Sequence, residues 1–288
     1  MIKKLHMSDI SFTRKSTDYH MGVSGGSLPL LKFDAISDLG FITHCFTTRS
    51  GGVSEGYFSS LNLKTGLGDP DENVAENFRR VAAAMNISPA DFVLSQQTHT
   101  TNVRVVTYAD KGKGVTKPRD YTDVDGLVTN VPGIVLGIFS ADCVPLIFID
   151  PVKKCIGAAH SGWRGTVGRI AAHTIEVMHE NYGSDPSDMI CAIGPSICRD
   201  CYEVSEDVAT EFKKEFPGYT DEILEDRHNG HYQLDLWAAC RITMEEAGVR
   251  PSNIYTTDIC TCENSSLLFS HRASHGKRGV QGTFLSLR

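Results

Sequence analysis

The stretch DVDGLVTNVPGIVLGIFSADCVPLIFIDPVKKCIGAAHSGWRGTVG, residues 123–168, decides how this chain is read. It holds three apolar runs of strand length, 134–139, 144–149 and 155–159, broken by Ser140-Ala141-Asp142 and by the Asp150-Pro151 turn and the two lysines that follow it. Reactive side chains stand only at the ends of these runs. Asp142 and Cys143 come where one run stops, and His160 comes where the third stops, just ahead of the glycine-punctuated turn Ser161-Gly162-Trp163-Arg164-Gly165. If the runs pair as neighbours, Cys143 and His160 meet at one edge of a sheet.

Working outward, residues 41–47 predict a strand that runs into Arg49 and the Gly51-Gly52 turn. Asp71 is placed to cap a helix whose apolar positions Val74, Phe78, Val81 and Met85 keep helical spacing as far as Asn86. Gln97 and His99 occupy a polar loop between the short apolar pieces 92–94 and 103–106. Downstream, a helix from Ile170 stops near Gly183, and residues 189–193 read as a strand. Two further helices are marked by Val208, Phe212 and Phe216 and by Leu236, Cys240 and Met244. A last strand is expected at 254–257, followed by Cys260-Thr261-Cys262 and a basic, glycine-containing tail. Residues 1–27 mix charge, Ser, Thr and Gly without a sustained period, so a flexible N-terminal extension is expected there. Without an internal repeat or a long linker, 28–288 is expected to be a single domain.

Composition narrows the function. The 288 residues are 41% hydrophobic, enough for a large core, and the net charge of −7 leaves no basic footprint for nucleic acid or anionic lipid. No apolar run approaches the roughly 20 residues of a membrane span, so a cytoplasmic protein acting on small molecules is expected. Nine dispersed cysteines in so long a chain suit reduced thiols or metal ligands better than a disulfide scaffold.

Three residues make the strongest chemical set. A thiolate from Cys143 and imidazoles from His99 and His160 would suit one zinc ion, and three protein ligands leave a fourth position for water or substrate. Asp142 is placed to carry a proton or to orient a histidine ligand. The same Cys143 and His160 would also suit a metal-free hydrolase or amidase, with the thiol as nucleophile and the imidazole as base. Arg49 and Arg164 each lie in a glycine-rich turn, where backbone amides and a guanidinium together favour an anion such as phosphate. Cys198-x-x-Cys201 with Cys260-x-Cys262 could supply four thiolates to a structural zinc. The second pair is one residue short of the usual knuckle, and reduced core thiols are the simpler reading.

Several motifs occur together in order: Arg49-Ser-Gly-Gly-Val-Ser54, Gln97-Thr-His99, Asp125-Gly126, Ala141-Asp-Cys-Val-Pro145, His160-Ser-Gly-Trp-Arg-Gly165, Gly194-Pro195, Cys201-Tyr-Glu-Val204 and Ser270-His-Arg272. From about residue 30 to the end, this set resembles the polyphenol oxidase or laccase-domain (YfiH-like) family of purine nucleoside phosphorylases. The resemblance implies an α+β fold with a mixed β-sheet core flanked by helices, in a single catalytic domain. It implies His99, Cys143 and His160 as ligands of one catalytic zinc. It implies phosphorolysis of adenosine, inosine, guanosine and methylthioadenosine, together with adenosine deamination. Purine nucleosides and phosphate would then be the partners of a monomer or weak homo-oligomer, with Arg49, Gln97 and Arg164 at the substrate and phosphate. A copper oxidase, which the family label suggests, needs many histidines, commonly in His-x-His pairs; here the 11 histidines are dispersed and none is so paired. A non-enzymatic binding protein built on the same pocket is the remaining reading.

Overall fold

A computed structural model of the chain describes residues 10–16, 21–24, 26 and 28–288. Two of the three central runs pair as expected. Strands β8 (Val144–Asp150) and β9 (Cys155–Ser161) form an antiparallel hairpin with Pro145 opposite His160 and Asp150 opposite Cys155. The first run does not join them: β7 (Val135–Ser140) lies in a different sheet, next to β15 (Gln281–Leu287).

The hairpin sits at the middle of a six-stranded mixed sheet, ordered β14-β10-β8-β9-β6-β5. Its other members are β5 (Val103–Val105), β6 (Gly126–Thr129), β10 (Ile190–Ile193) and β14 (Ile254–Thr256). The second six-stranded sheet runs β1-β2-β3-β15-β7-β4, from β1 (Met21–Ser24), β2 (Leu30–Phe33), β3 (Ile42–Thr47) and β4 (Phe92–Leu94). A small third sheet holds β11 (Glu203–Ser205), β12 (Leu224–Asp226) and β13 (His231–Leu234). The helices are α1 (Asp34–Ser37), α2 (Asp71–Met85), α3 (Trp163–Val167), α4 (Ile170–Tyr182), α5 (Glu206–Glu215), α6 (Thr220–Ile223) and α7 (Leu236–Glu246).

Side-chain alternation explains the layering. On β8, Ile147 and Ile149 face a seam shared with Leu136, Ile138 and Leu285 of the other sheet, while Val144, Leu146 and Phe148 face Ile175 and Met178 of α4 and Ala239 of α7. The far face of β7 and β15 presents Val135, Phe139 and Phe284 to Val74, Phe78 and Val81 of α2. Each fully buried Ile or Phe contributes about 1.5–3 kcal/mol, so the strand ends are held on a stiff platform. The order of layers is therefore helix, sheet, sheet, helices, a mixed α+β fold with helices on the outside.

The structure departs from expectation in three places. The tail is no tail: β15 is buried along its whole length and pairs with both β3 and β7. The extension expected over 1–27 carries strand β1, which pairs with β2 through Met21 opposite Phe33, because Met21 adds to the apolar seam between the sheets. For 1–9, 17–20, 25 and 27 that expectation lies outside the described residues. At α2 the capping position belongs to Pro70, and Asp71 lies in the first turn, where its charge complements the helix dipole. Among the described residues, no helix is long and apolar enough to cross a membrane.

Candidate metal centre

The antiparallel ladder brings the reactive residues together. In β8 and β9, Val144 opposes Ser161, so the next pair outward is Cys143 and Gly162. In β6 and β9, Gly126 opposes Ala159, so the next pair is Asp125 and His160, and the His160 amide donates to the Asp125 carbonyl at 2.8 Å. β5 runs parallel to β6, which returns the 95–102 loop and His99 to the same end. Three ligand atoms from His99, Cys143 and His160 thereby lie within 4.8 Å of one another, with Cys143 Sγ 4.0 Å from His99 Nε2. The two imidazole rings meet edge to face at 5.0 Å between centroids.

Gly162 forms the floor. A Cβ built there would stand 2.8 Å from His99 Cδ2 and 3.1 Å from Cys143 Sγ, so the cluster closes only over a residue without a side chain.

The organiser of the cluster is Asp125. Its carboxylate accepts from His160 Nδ1 at 2.7 Å and from the amides of Thr98, His99 and Thr100 at 2.8, 3.2 and 3.1 Å. Burial opposes the charged form of Asp125, but the His160 bond and these amides outweigh it and hold the carboxyl below its ordinary range. They also stabilise His99 at φ 67°, a left-handed conformation uncommon for a residue with a side chain. Because Nδ1 of His160 is engaged, Nε2 is the atom turned to the cluster. Burial works against charge at Cys143 and His160 too, yet each draws the other toward its ionised form, the thiol downward and the imidazole upward. A carboxylate-held imidazole, a second imidazole and an acidified thiol suit a borderline-soft metal such as zinc.

Asp142 is buried at φ 85°, with Oδ1 accepting from the Thr261 hydroxyl at 2.6 Å and Oδ2 from the Arg272 amide at 2.6 Å. The histidine is oriented by Asp125 and not by Asp142, which corrects the expectation that Asp142 could serve that purpose. Sequence reasoning quoted Asp125-Gly126 without a role for the aspartate; the signal would have been strand pairing, which places residue 125 opposite 160.

The predicted anion-binding residues separate. Arg164 is exposed beside the centre, its guanidinium 4.1 Å from the Trp163 ring. Arg49 is engaged elsewhere: Nε donates to the Ser59 carbonyl and Nη1 to the Ser265 carbonyl, both at 2.8 Å, and the group lies over Phe269. Its turn is likewise satisfied, with the Gly52 amide on Ser60 Oγ and the Val53 amide on Asn77 Oδ1. Arg49 is thus a loop brace rather than the open anion clamp expected. Gln97 also braces, its amide group exchanging two hydrogen bonds of 2.7 Å with the backbone of Phe139. A pocket lined by Leu63, Lys64, Ser95, Arg119 and Phe139 opens beside it.

Two further arginines border the centre: Arg278, and the Arg272 of the Ser270-His-Arg272 motif, to which sequence reasoning gave no role. Arg278 is half-buried with its Nε unpartnered among the described residues, and Cys143 and Asp142 both act on its charge. Arg272 donates to the Glu203 carbonyl at 2.7 Å and lies 5.4 Å over the Tyr202 ring. Burial, with the charges of Cys143 and Asp142 adding to it, pushes the Tyr202 phenol up to about 12, so it is a neutral donor at ordinary pH.

Comparison with known proteins shows the family and the fold. The family described as multi-copper polyphenol oxidoreductase laccase matches residues 43–288. The chain is 37% identical over 247 residues to "Purine nucleoside phosphorylase YlmD" of Bacillus subtilis (strain 168), covering 84% of this chain and 87% of that protein. It is 32% identical over 247 residues to "Adenosine deaminase RL5" of an unknown prokaryotic organism, covering 85% and 94%. The crystal structure of YlmD from Geobacillus stearothermophilus superposes with a TM-score of 0.86 at 34% identity, over 92% of this chain and 98% of that one.

Proposed function

The chain belongs to the multi-copper polyphenol oxidoreductase laccase family, and from that premise we propose that it is a zinc-dependent purine nucleoside phosphorylase that also deaminates adenosine. The observation that carries the proposal is the single cluster of His99, Cys143 and His160 over Gly162, with Asp125 behind it, in a chain alignable with relatives named for both activities. Adenosine, inosine, guanosine and methylthioadenosine are the proposed nucleosides.

In phosphorolysis a phosphate oxygen bonds to ribose C1′ as the C1′–N9 bond to the purine breaks. The chain's part is to hold the dianion against C1′ and to offset charge on the departing base. Arg164 and Arg278 supply the guanidinium donors, and the Tyr202 phenol donates a hydrogen bond within the same polar rim. Arg49 and Gln97 act from behind, fixing the loops that border the pocket. For deamination, zinc at the cluster would supply a water acidified enough to react with C6 of adenine near neutral pH. Asp125 keeps His160 in the tautomer that offers Nε2, and Asp142 is the nearby carboxylate through which a proton can pass to the departing ammonia.

Incubation of the purified chain with adenosine, with and without phosphate, tests the reading. Adenine and ribose 1-phosphate formed only with phosphate, and inosine in either case, are expected. Unchanged adenosine with a metal-replete sample would refute the purine assignment. The metal-free hydrolase alternative predicts activity that survives chelation and falls to iodoacetamide.

A further inference from the structure

A second sulfur cluster lies outside the site just described. We propose that Cys198, Cys201, Cys260 and Cys262 form a closed structural metal site that takes zinc. The donor atoms of Cys198, Cys201 and Cys260 lie within 4.8 Å of one another, and the Cys262 thiol stands beside Cys201. Four sulfurs around one zinc at about 2.3 Å would be roughly 3.8 Å apart, so the site closes by side-chain rotation of an ångström or less for three of them.

The backbone turns hydrogen-bond donors toward two of the four sulfurs. Cys198 precedes the 3-10 turn Arg199–Cys201, whose last amide points at the Cys198 sulfur as well as its carbonyl. The Cys198 amide donates to Cys260 Sγ at 3.3 Å, and the Glu263 amide donates to the same sulfur. Amides directed at sulfur stabilise thiolate over thiol, which is the form a metal requires. The one-residue spacing of Cys260 and Cys262, short for a knuckle, is met by a turn that starts at Cys260, whose carbonyl accepts from the Asn264 amide at 3.1 Å, and Thr261 between the two cysteines turns its hydroxyl to Asp142.

One cation stands beside the cluster. A tetrathiolate zinc centre carries two net negative charges, and the Lys15 ammonium lies beside Cys198, held by Asp200 at 3.1 Å and by Glu263. Lys15 belongs to a segment stitched to the same place by the Arg14–Asp258 ion pair at 2.8 Å and by Asn264, whose side chain bonds both backbone groups of Thr13. The excursion that carries the third sheet and helices α5 to α7 leaves the core at Cys198–Cys201 and rejoins it through β14, just ahead of Cys260. A metal there would staple the base of that excursion, where a disulfide would use only two of the four sulfurs. Two thiolate arms and no open position distinguish it from the histidine-containing centre.

The test uses the full chain carrying Cys143→Ala, so that the first centre is silent and the outcome does not depend on the purine reading. Purified under reducing conditions, that protein is expected to hold about one zinc per chain, as befits a closed four-ligand site. Cobalt replacing it should show the near-ultraviolet absorption of thiolate-to-metal charge transfer. Adding Cys201→Ser and Cys262→Ser, both at partly exposed positions, should abolish the bound zinc and the cobalt band while the circular dichroism spectrum is retained. Should these variants not fold, alkylation of the parent Cys143→Ala protein gives the same reading: four thiols protected until a chelator is added. A Cys143→Ala protein without zinc, no rise in the number of alkylated thiols when the chelator is added, or a Cys198–Cys260 disulfide in unreduced protein would each overturn the proposal.

Discussion

Two sulfur clusters flank Asp142, and they use cysteine for opposite ends. At the first, Cys143 stands beside two imidazoles over a floor of Gly162, with His99 exposed and one side of the cluster unbuilt. At the second, four cysteines draw together from two turns and backbone amides face the sulfurs. In the first the thiolate is favoured by a charged neighbour, His160; in the second only Cys260 is drawn toward thiolate, by the Cys198 thiol and then by the Glu263 and Cys198 amides, while the other three thiols are pushed up. The lesson is that the environment of a cysteine, more than its burial, separates a reactive centre from a structural one.

The comparison can be broken most sharply at Cys143. Cys143→Ala should empty the first centre and lower turnover on the order of 1,000-fold, as loss of several kcal/mol of charge stabilisation predicts, while metal at the cysteine cluster stays; steady-state rates and metal analysis together read both. If zinc vanished from both sites at once, the two clusters would not be separate.

Asp125→Asn is the next largest. The amide side chain cannot accept from His160 and the three loop amides as the carboxylate does, so metal affinity at the first centre should fall about 10- to 100-fold, measured by competition with a chromophoric chelator. The cysteine cluster should be untouched.

The smallest effect sharpens the boundary between them. Thr261→Val keeps the shape of the turn but removes the hydroxyl from Asp142, leaving a buried carboxylate oxygen unpaired at a cost of about 1–3 kcal/mol in denaturant unfolding. A change in turnover without a change in metal content would mark Thr261 as the mechanical link between the cysteine turn and the reactive end of the sheet.

Much of this was legible in the residues. The runs at 144–149 and 155–159 read correctly because both faces are buried and the pattern is continuous, so the meeting of Cys143 and His160 follows from a hairpin of ordinary length. The run at 134–139 was misplaced among them because apolarity says that a strand is buried and nothing about its neighbour, and β7 pairs with a strand some 140 residues later. Strand β15 hid behind the basic loop that precedes it. Asp125 escaped because its role is a register relation across β6 and β9, invisible to linear spacing. Arg49 was overread: a guanidinium next to two glycines looks available in sequence, and only the Ser59 and Ser265 carbonyls show that it is not.

The first centre mixes two kinds of support, and that sets how it opens. Cys143 and His160 continue central strands, so displacing either means unzipping a sheet and approaches the free energy of global unfolding. His99 hangs on a loop tied by the fan of amides on Asp125 and by the Thr98 hydroxyl on Asp123. A metal held there would exchange by a hinged event on a fixed frame, with residues 98–100 swinging while Cys143 and His160 stay in place, at a rate readable by hydrogen exchange of the 98–100 amides.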